Sequence, residues 1–388
     1  MQVFTLYSSV FFRVDNEKAV FYNTDSFCAK TFKTTPMVRE ICHLLSDIDN
    51  LYTIPITEER REFCIKLCES GFGKLHDDTD LCISFPPSLT LRNDWDKIKS
   101  IEGQDAAEVL KYLSEVTLYM GGRQDVENTI FYQTEYPSLG NNFIDYAQLI
   151  NFIHQVSNRH KINLKFIFPF VEGYPNISKM LRQIKQLKNK CGIFVRDSEY
   201  YSSHTAQTIL KDIQANIVVI NDSRQLFSSD ISDSVFNRFL IFDKKGTIAV
   251  QELVERKALT RYSFVAVYDG ANEQFIKDAS FPTEKELLNG AYTRKHLFAH
   301  QVLNTFCFGR ISITPDGNVY SNLMEEAIGT INSPLHSLVK TELNNNYSWR
   351  KTRHIKPNCC KCRLLDLCPS ISPLESYMGV NCIIKRLF

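Results

Sequence analysis

Residues 357–382 read PNCCKCRLLDLCPSISPLESYMGVNC. Cys359 and Cys362 have the CxxC spacing, which lets two thiolates from one tight turn reach one metal ion or cluster. Cys368 and Cys382 complete a set of four, and Pro369 follows Cys368 as proline often follows a cluster cysteine. The chain has 12 cysteines in 388 residues. Cys28, Cys42, Cys64, Cys68, Cys82 and Cys191 stand singly among apolar or helical residues and read as buried small hydrophobes. Cys359, Cys360, Cys362, Cys368 and Cys382 crowd the C-terminal end, with Cys307 upstream. A secreted disulfide scaffold would spread its pairs evenly; this crowding predicts a metal site in a reducing cytoplasm. Zinc and iron–sulfur both accept four thiolates. Zinc ribbons usually use two CxxC knuckles, and the wide gap between Cys368 and Cys382 favours iron–sulfur.

Upstream of this segment the chain alternates. Val116–Met120, Ile162–Phe170, Cys191–Arg196, Asn216–Asn221, Phe239–Phe242 and Tyr262–Val267 are near-continuous apolar runs. Between them lie helical patterns such as Tyr146–Arg159, Asn176–Asn189 (capped by Asn176) and His204–Gln214. Such alternation predicts a parallel sheet covered by helices, about five or six βα units in an open partial barrel. Gln104–Ser114 reads as a helix ahead of it, and Leu81–Lys99 as a Pro-containing connector. Past Phe275 the rhythm fades, and Ile311–Tyr320 reads as a hairpin around Pro315-Asp316-Gly317.

Residues 1–75 form a first unit. Val3–Val14, Lys18–Asn23 and Ser26–Phe32 read as strands. Thr35-Pro36 opens a helix with a hydroxyl cap and a proline at the first position. Thr57-Glu58-Glu59 opens a second, which Gly71 and Gly73 end. This pattern suggests a small winged-helix-like module.

Composition excludes several classes. The chain is 44% hydrophobic and 23% charged, as an ordinary globular protein is, and its net charge of +1 gives no field favouring nucleic acid or an anionic membrane. No run of about 18 apolar residues predicts a membrane span, and Met1–Val14 lacks the basic start and cleavage site of a signal peptide. Trp349 beside Arg350–Lys356 has no larger basic face around it and does not read as a nucleic-acid site. HExxH, GxSxG and P-loop motifs are absent.

The last eighty or so residues resemble a SPASM domain, the auxiliary-cluster domain of radical SAM peptide-modifying enzymes. That pattern is C-x9–15-G-x4-C, then C-x2-C-x5-C-x3-C, then C. Here it appears as Cys307-x9-Gly317-x4-Asn322, Cys359-x2-Cys362-x5-Cys368-x3-Ser372 and Cys382. The resemblance assigns Cys307, Asn322 and Ser372 to one auxiliary site, which two replacements leave with Cys307 alone. It assigns Cys359, Cys362, Cys368 and Cys382 to a second, complete site. A radical SAM enzyme also needs C-x3-C-x2-C after its first barrel strand. The corresponding loop, from Gly121 to Tyr136, has no cysteine, and none occurs between Cys82 and Cys191. The chain is therefore similar to the pseudo-radical SAM/SPASM proteins of Bacteroidales-type peptide maturation systems. That similarity implies one [4Fe-4S] cluster (zinc as the alternative) and no S-adenosylmethionine cluster.

The first unit resembles the peptide-recognition element of ribosomal peptide biosynthesis, which binds a leader peptide as an added strand on its third strand. Mapped here, the edge is Ser26–Phe32 and the facing helix Glu58–Ser70, with Phe27, Phe32, Phe63 and Leu67 as candidate peptide contacts. The strand-like run Leu51–Ile56 departs from that family, which has a helix there. The expected fold is α/β in three parts: residues 1–80 a winged-helix-like peptide-recognition module, 81–300 a degenerate radical SAM-like partial barrel, and 301–388 a Cys-rich SPASM-like domain. The implied role is a cytoplasmic, non-catalytic accessory protein that binds a precursor peptide and a radical SAM maturase. A peptide-modifying enzyme and a zinc-stabilised scaffold are the alternatives.

Overall fold

The computed structural model describes residues 2–77, 106–122, 129–157, 161–211, 215–345 and 347–385. The connector Leu81–Lys99, the start of the Gln104–Ser114 helix, Cys82 and part of the loop after Met120 lie outside the described residues.

The N-terminal unit holds two small sheets. Its strands are β1 (Gln2–Leu6), β2 (Val10–Val14), β3 (Lys18–Asn23), β4 (Cys28–Lys33), β5 (Thr53–Pro55) and β6 (Gly73–Asp77). The order is β5-β1-β6 in one sheet and β2-β3-β4 in the other. The single strand expected over Val3–Val14 is therefore two. The chain turns at Tyr7–Ser9, where the Val10 amide donates to the Tyr7 carbonyl at 2.9 Å. Helix α1 (Pro36–Ser46) starts as its sequence predicts, with the Thr35 hydroxyl accepting from the Val38 amide. Helix α2 (Glu58–Glu69) ends one residue before Ser70, and Gly73 opens β6 instead of closing the helix. There a Cβ would meet the Phe4 ring and the Thr5 carbonyl at 2.5 Å, so β6 pairs with β1 because residue 73 has no side chain. The run Leu51–Ile56 becomes β5, on the other side of β1.

The main sheet has nine strands. β7 (Glu115–Tyr119) is followed by a two-stranded ribbon of β8 (Gly121–Gly122) and β9 (Asn142–Phe143). Then come β10 (Asn163–Ile167), β11 (Cys191–Arg196), β12 (Asn216–Asp222), β13 (Phe236–Ile241), β14 (Tyr262–Ala266), β15 (Arg310–Ile313), β16 (Asn318–Tyr320) and β17 (Gly329–Thr330). Their order is β14-β13-β12-β11-β10-β7-β15-β16-β17. The six strands β7 and β10–β14 are parallel and follow chain order. Each crossover thus moves one step along the sheet, as right-handed βα units do. Helices Tyr146–Ser157, Ile177–Gln186, His204–Lys211 and Lys244–Lys257 cover the outer face. Asn176 does not cap its helix through its side chain. It sits at φ 59°, a left-handed conformation that asparagine tolerates.

Two features cross the expected divisions. β15 pairs in parallel with β7, so residues beyond 300 extend the main sheet. The outer face of β2-β3-β4 is covered by the Cys-rich end: Phe11, Val20 and Tyr22 pack with Leu364, Leu367, Cys368 and Ile383. Among the described residues no helix is long and apolar enough to cross a membrane.

Candidate metal centre and peptide edge

The CxxC turn is built by the short helix Pro357–Cys360. The Cys362 amide donates to the Cys359 carbonyl at 2.9 Å, folding the two cysteines toward one side. A buried scaffold holds this turn. Arg353 makes a bidentate pair with Glu375 at 2.8 and 2.6 Å, and Lys356 reaches the same carboxylate at 2.7 Å. Asp366, between Cys362 and Cys368, is gripped by Arg13 at 2.5 and 3.1 Å. Arg363 joins Asp15 and Glu284. The Cys-rich segment is thereby tied to β2, more than three hundred residues away in sequence.

Cys359 and Cys368 are buried, Cys362 half-buried and Cys382 exposed. Burial pushes the thiols of Cys359, Cys362 and Cys368 up, Cys368 to about 12. The four also act on one another. Cys382 raises Cys359 and Cys362, and Cys359 and Cys362 both raise Cys368. Opposing them, the charge of the nearby Arg353 guanidinium lowers Cys359. Amides two residues on donate to two of the sulfurs: Leu364 to Cys362 at 3.4 Å and Ile384 to Cys382 at 3.5 Å. Such N–H···S bonds favour the thiolate and support sulfur ligands. Among the described residues, no three His, Cys, Asp or Glu side chains lie in an arrangement that would hold a metal ion as they stand. The chemistry of the donor set still fits a thiolate-bound group: four soft ligands on one segment, two sulfurs that accept backbone amides, and the cations Arg353 and Lys356 near Cys359. Closure requires the sulfurs to draw in. Cys360 is exposed, and its thiol points back to the Pro357 carbonyl.

Cys307, Asn322 and Ser372 line one cavity of about 440 Å³ between the main sheet and the C-terminal segment. Both replacements have local work. The Asn322 side chain accepts from the Met324 amide, and the Ser372 hydroxyl caps the helix Pro373–Met378 by accepting from the Glu375 amide. Cys307 is enclosed and its thiol is pushed up to about 12 by burial.

Residues 129–137, from the loop that follows β8, pack against the C-terminal ends of the parallel strands. Ile130, Phe131 and Tyr136 pack among Tyr119, Ile167, Phe194, Ile220, Leu240, Phe242 and Val267, residues at or near the C-terminal ends of the strands. Three polar clamps hold the loop. Gln133 donates to and accepts from the Tyr268 backbone, both at 2.8 Å. Arg196 donates to the Pro137 carbonyl. Glu135 meets Lys165 at 2.5 Å and Arg238 at 2.8 Å. Burial alone would raise the Glu135 carboxyl; Lys165 and Arg238 outweigh it and hold the group at about 2. Sequence reasoning passed over Glu135, Lys165 and Arg238. The one signal was a pair of cations, Lys165 and Arg238, inside otherwise apolar strands.

In the N-terminal unit β4 is an edge strand. The Thr34 amide donates to the Glu17 carbonyl, and Lys18 is opposite Lys33. By the antiparallel alternation, Ala29, Thr31 and Lys33 direct their N–H and C=O groups away from β3. Helix α2 lies beside this edge, with the Phe32 and Phe63 rings 5.1 Å apart. Of the four candidate contacts, Phe27 is 45% exposed at the β3–β4 turn and Phe32 is half-buried. Phe63 is 4% exposed and Leu67 not at all; both fill the core of the N-terminal unit.

No family model matches the chain, and no curated protein matches it. Among solved structures it is similar to Streptococcus suis SuiB bound to the precursor peptide SuiA, at 12% identity over 96% of this chain and 98% of that one, with a TM-score of 0.45. SuiB bound to S-adenosylmethionine gives 12% identity over 96% and 98%, and 0.42. BtrN in complex with AdoMet and 2-DOIA gives 10% identity over 70% and 98%, and 0.35. At such scores the likeness does not extend to function.

Proposed function

We propose that this chain is a non-catalytic accessory protein of ribosomal peptide maturation. It takes an extended precursor peptide on the β4 edge, works beside a radical SAM maturase, and carries one centre on Cys359, Cys362, Cys368 and Cys382. The observation that supports this reading best is the loop packed against the C-terminal strand ends. Folds of this kind place their chemistry at the C-terminal ends of the strands, and here Ile130, Phe131 and Tyr136 occupy that space. The loop that would have to supply three thiolates supplies a clamped carboxylate instead.

The four cysteines would hold an iron–sulfur cluster, or zinc in the alternative; a cluster supplies one-electron transfer when bound, zinc rigidity. The chain's own contribution is to carry the thiols on one segment, supply backbone amides to two of the sulfurs and place Arg353 near Cys359. The β4 edge contributes the outward-directed backbone groups of Ala29, Thr31 and Lys33, of which the Ala29 carbonyl already accepts from the Cys28 thiol, and the half-buried Phe32 ring beside them. Strand addition takes its affinity from the first and its register from the second.

Two measurements test the reading. Twenty-residue peptides selected from a display library on the full chain should bind the Thr31→Pro variant at least about tenfold more weakly. That change removes an outward N–H and leaves the β3 ladder intact. Equal binding would overturn the β4 assignment. Anoxically purified protein should hold about four iron and four sulfide, or about one zinc, per chain; metal-free protein would overturn the centre.

A further inference from the structure

The nine-stranded sheet also has an edge strand with outward-facing backbone groups. β14 is its terminal strand, next to β13 only. The Asn237 amide donates to the Arg261 carbonyl, and the Val267 amide to the Ile241 carbonyl. Odd-numbered residues of this strand therefore bond β13, and Tyr262, Phe264 and Ala266 direct their N–H and C=O groups outward. Among the described residues no backbone partner meets them. The strand reads YSFVA, with no lysine, proline or bulge to blunt it, the devices that exposed edges normally carry. At the other end of the sheet β17 is only two residues long.

Phe264, Val265 and Ala266 form one wall of the cavity that Cys307, Asn322 and Ser372 also line. Its floor is the inner face of β7 and the loop packed against the strand ends. Across it stands Arg310, at the start of β15. Glu115 faces Arg310, but its carboxylate already holds Lys165 at 2.9 Å. Glu135 is likewise committed to Lys165 and Arg238. Arg310 is left 49% exposed, and its one ion-pair contact among the described residues is Glu115 at 3.8 Å. With the two carboxylates satisfied, the guanidinium is the charge with unused hydrogen-bonding capacity, and an acidic group is its natural partner. Phe131 and Phe306 add apolar surface beside it.

We propose that this seam is a second peptide-binding site. It takes an extended, acid-containing segment as a strand added to β14, with the segment's carboxylate on Arg310. Five residues of β14 span about 17 Å, so the site takes five or six residues. The inference goes beyond the β4 reading and uses none of its residues. A precursor held at β4 would have a second place for its downstream segment.

The test uses the full chain and fluorescein-labelled, N-acetylated, C-amidated hexapeptides from a positional-scanning library, with anisotropy as the readout. An acidic residue should be preferred at one position. N-methylation at alternate backbone positions of the best peptide should abolish binding, a result that touches no protein residue. Arg310→Gln should weaken binding about tenfold and erase the acidic preference. Ala266→Pro should weaken it further, with the melting temperature showing that the variant is folded. Thr31→Pro should leave it unchanged, so failure of the β4 reading and failure of this one are distinguishable. The proposal is overturned if no hexapeptide binds more tightly than about 1 mM, or if Arg310→Gln and N-methylation change nothing. It is also overturned if sedimentation shows a dimer that Phe264→Lys dissociates, since a second copy would then cover the edge.

Discussion

Replacing Glu135 with glutamine tests whether the loop at the C-terminal strand ends is an integral part of the fold. The carboxylate sits between Lys165 and Arg238, and the side chain is 22% exposed. Its pKa lies at about 2 against the ordinary 4.5. At 1.36 kcal/mol per pH unit, the folded chain favours the charged form by about 3 kcal/mol. A group with a depressed folded pKa contributes stability that is present above its unfolded pKa and lost as pH falls through the folded one. The contribution is therefore complete above about pH 5 and falls to about 1.4 kcal/mol at pH 3. Glu135→Gln keeps the shape but takes the carboxylate from Arg238 and leaves Lys165 with Glu115 alone, a loss toward the lower end of the about 3–5 kcal/mol that broken buried pairs cost. A lowering of the melting temperature by roughly 5–10 °C at pH 7 is expected. Thermal melts of both proteins from pH 7 to pH 2.5 would show the gap closing as pH falls. Other carboxylates titrate in both proteins, so the difference isolates this one. A variant that melts within about 1 °C of the parent at pH 7, or a gap independent of pH, would refute the clamp.

Three further outcomes are expected. Cys362→Ala should lower the metal retained by anoxic protein, as measured by iron, zinc and sulfide analysis, because a three-thiolate remnant holds metal more weakly than the set of four. The double variant Asn322→Cys with Ser372→Cys should bind a second equivalent of cobalt(II), seen as added thiolate-to-metal absorption, because Cys307 lines the same cavity as both positions; loss of the Ser372 cap should cost about 1 kcal/mol in the process. Asp366→Asn weakens the pair with Arg13, so chemical denaturation should show a loss of about 1–3 kcal/mol, and hydrogen exchange should quicken in β2 and β3, whose outer face packs on the Cys-rich segment.

Much of the architecture was legible in the residues. Thr35-Pro36 predicted a capped helix start, and the Thr35 hydroxyl makes the bond. Pro315-Asp316-Gly317 predicted the hairpin, and Gly317 adopts φ 80° there. The parallel strands were readable because a strand buried on both faces is apolar along its whole length. Readings that failed were local ones overruled by contacts elsewhere. Gly73 looked like a helix stop because glycine commonly is one; its position is set by the Phe4 ring across the strand pair. Asn176 holds the N-cap position, as expected, but in a left-handed conformation and without a side-chain bond.

The sequence by itself determined the element types, the CxxC-led set of four cysteines and the lack of any cysteine between Cys82 and Cys191. These are statements about spacing, and spacing survives without coordinates. Only the tertiary structure decided that Glu135 lies between Lys165 and Arg238. The same holds for Cys307, Asn322 and Ser372 sharing one cavity, for β15 lying beside β7, and for Asp366 being held by Arg13. Each of these joins residues separated by tens to hundreds of positions. Periodicity reports which face of an element is buried, and it carries no record of which distant side chain will be packed against that face.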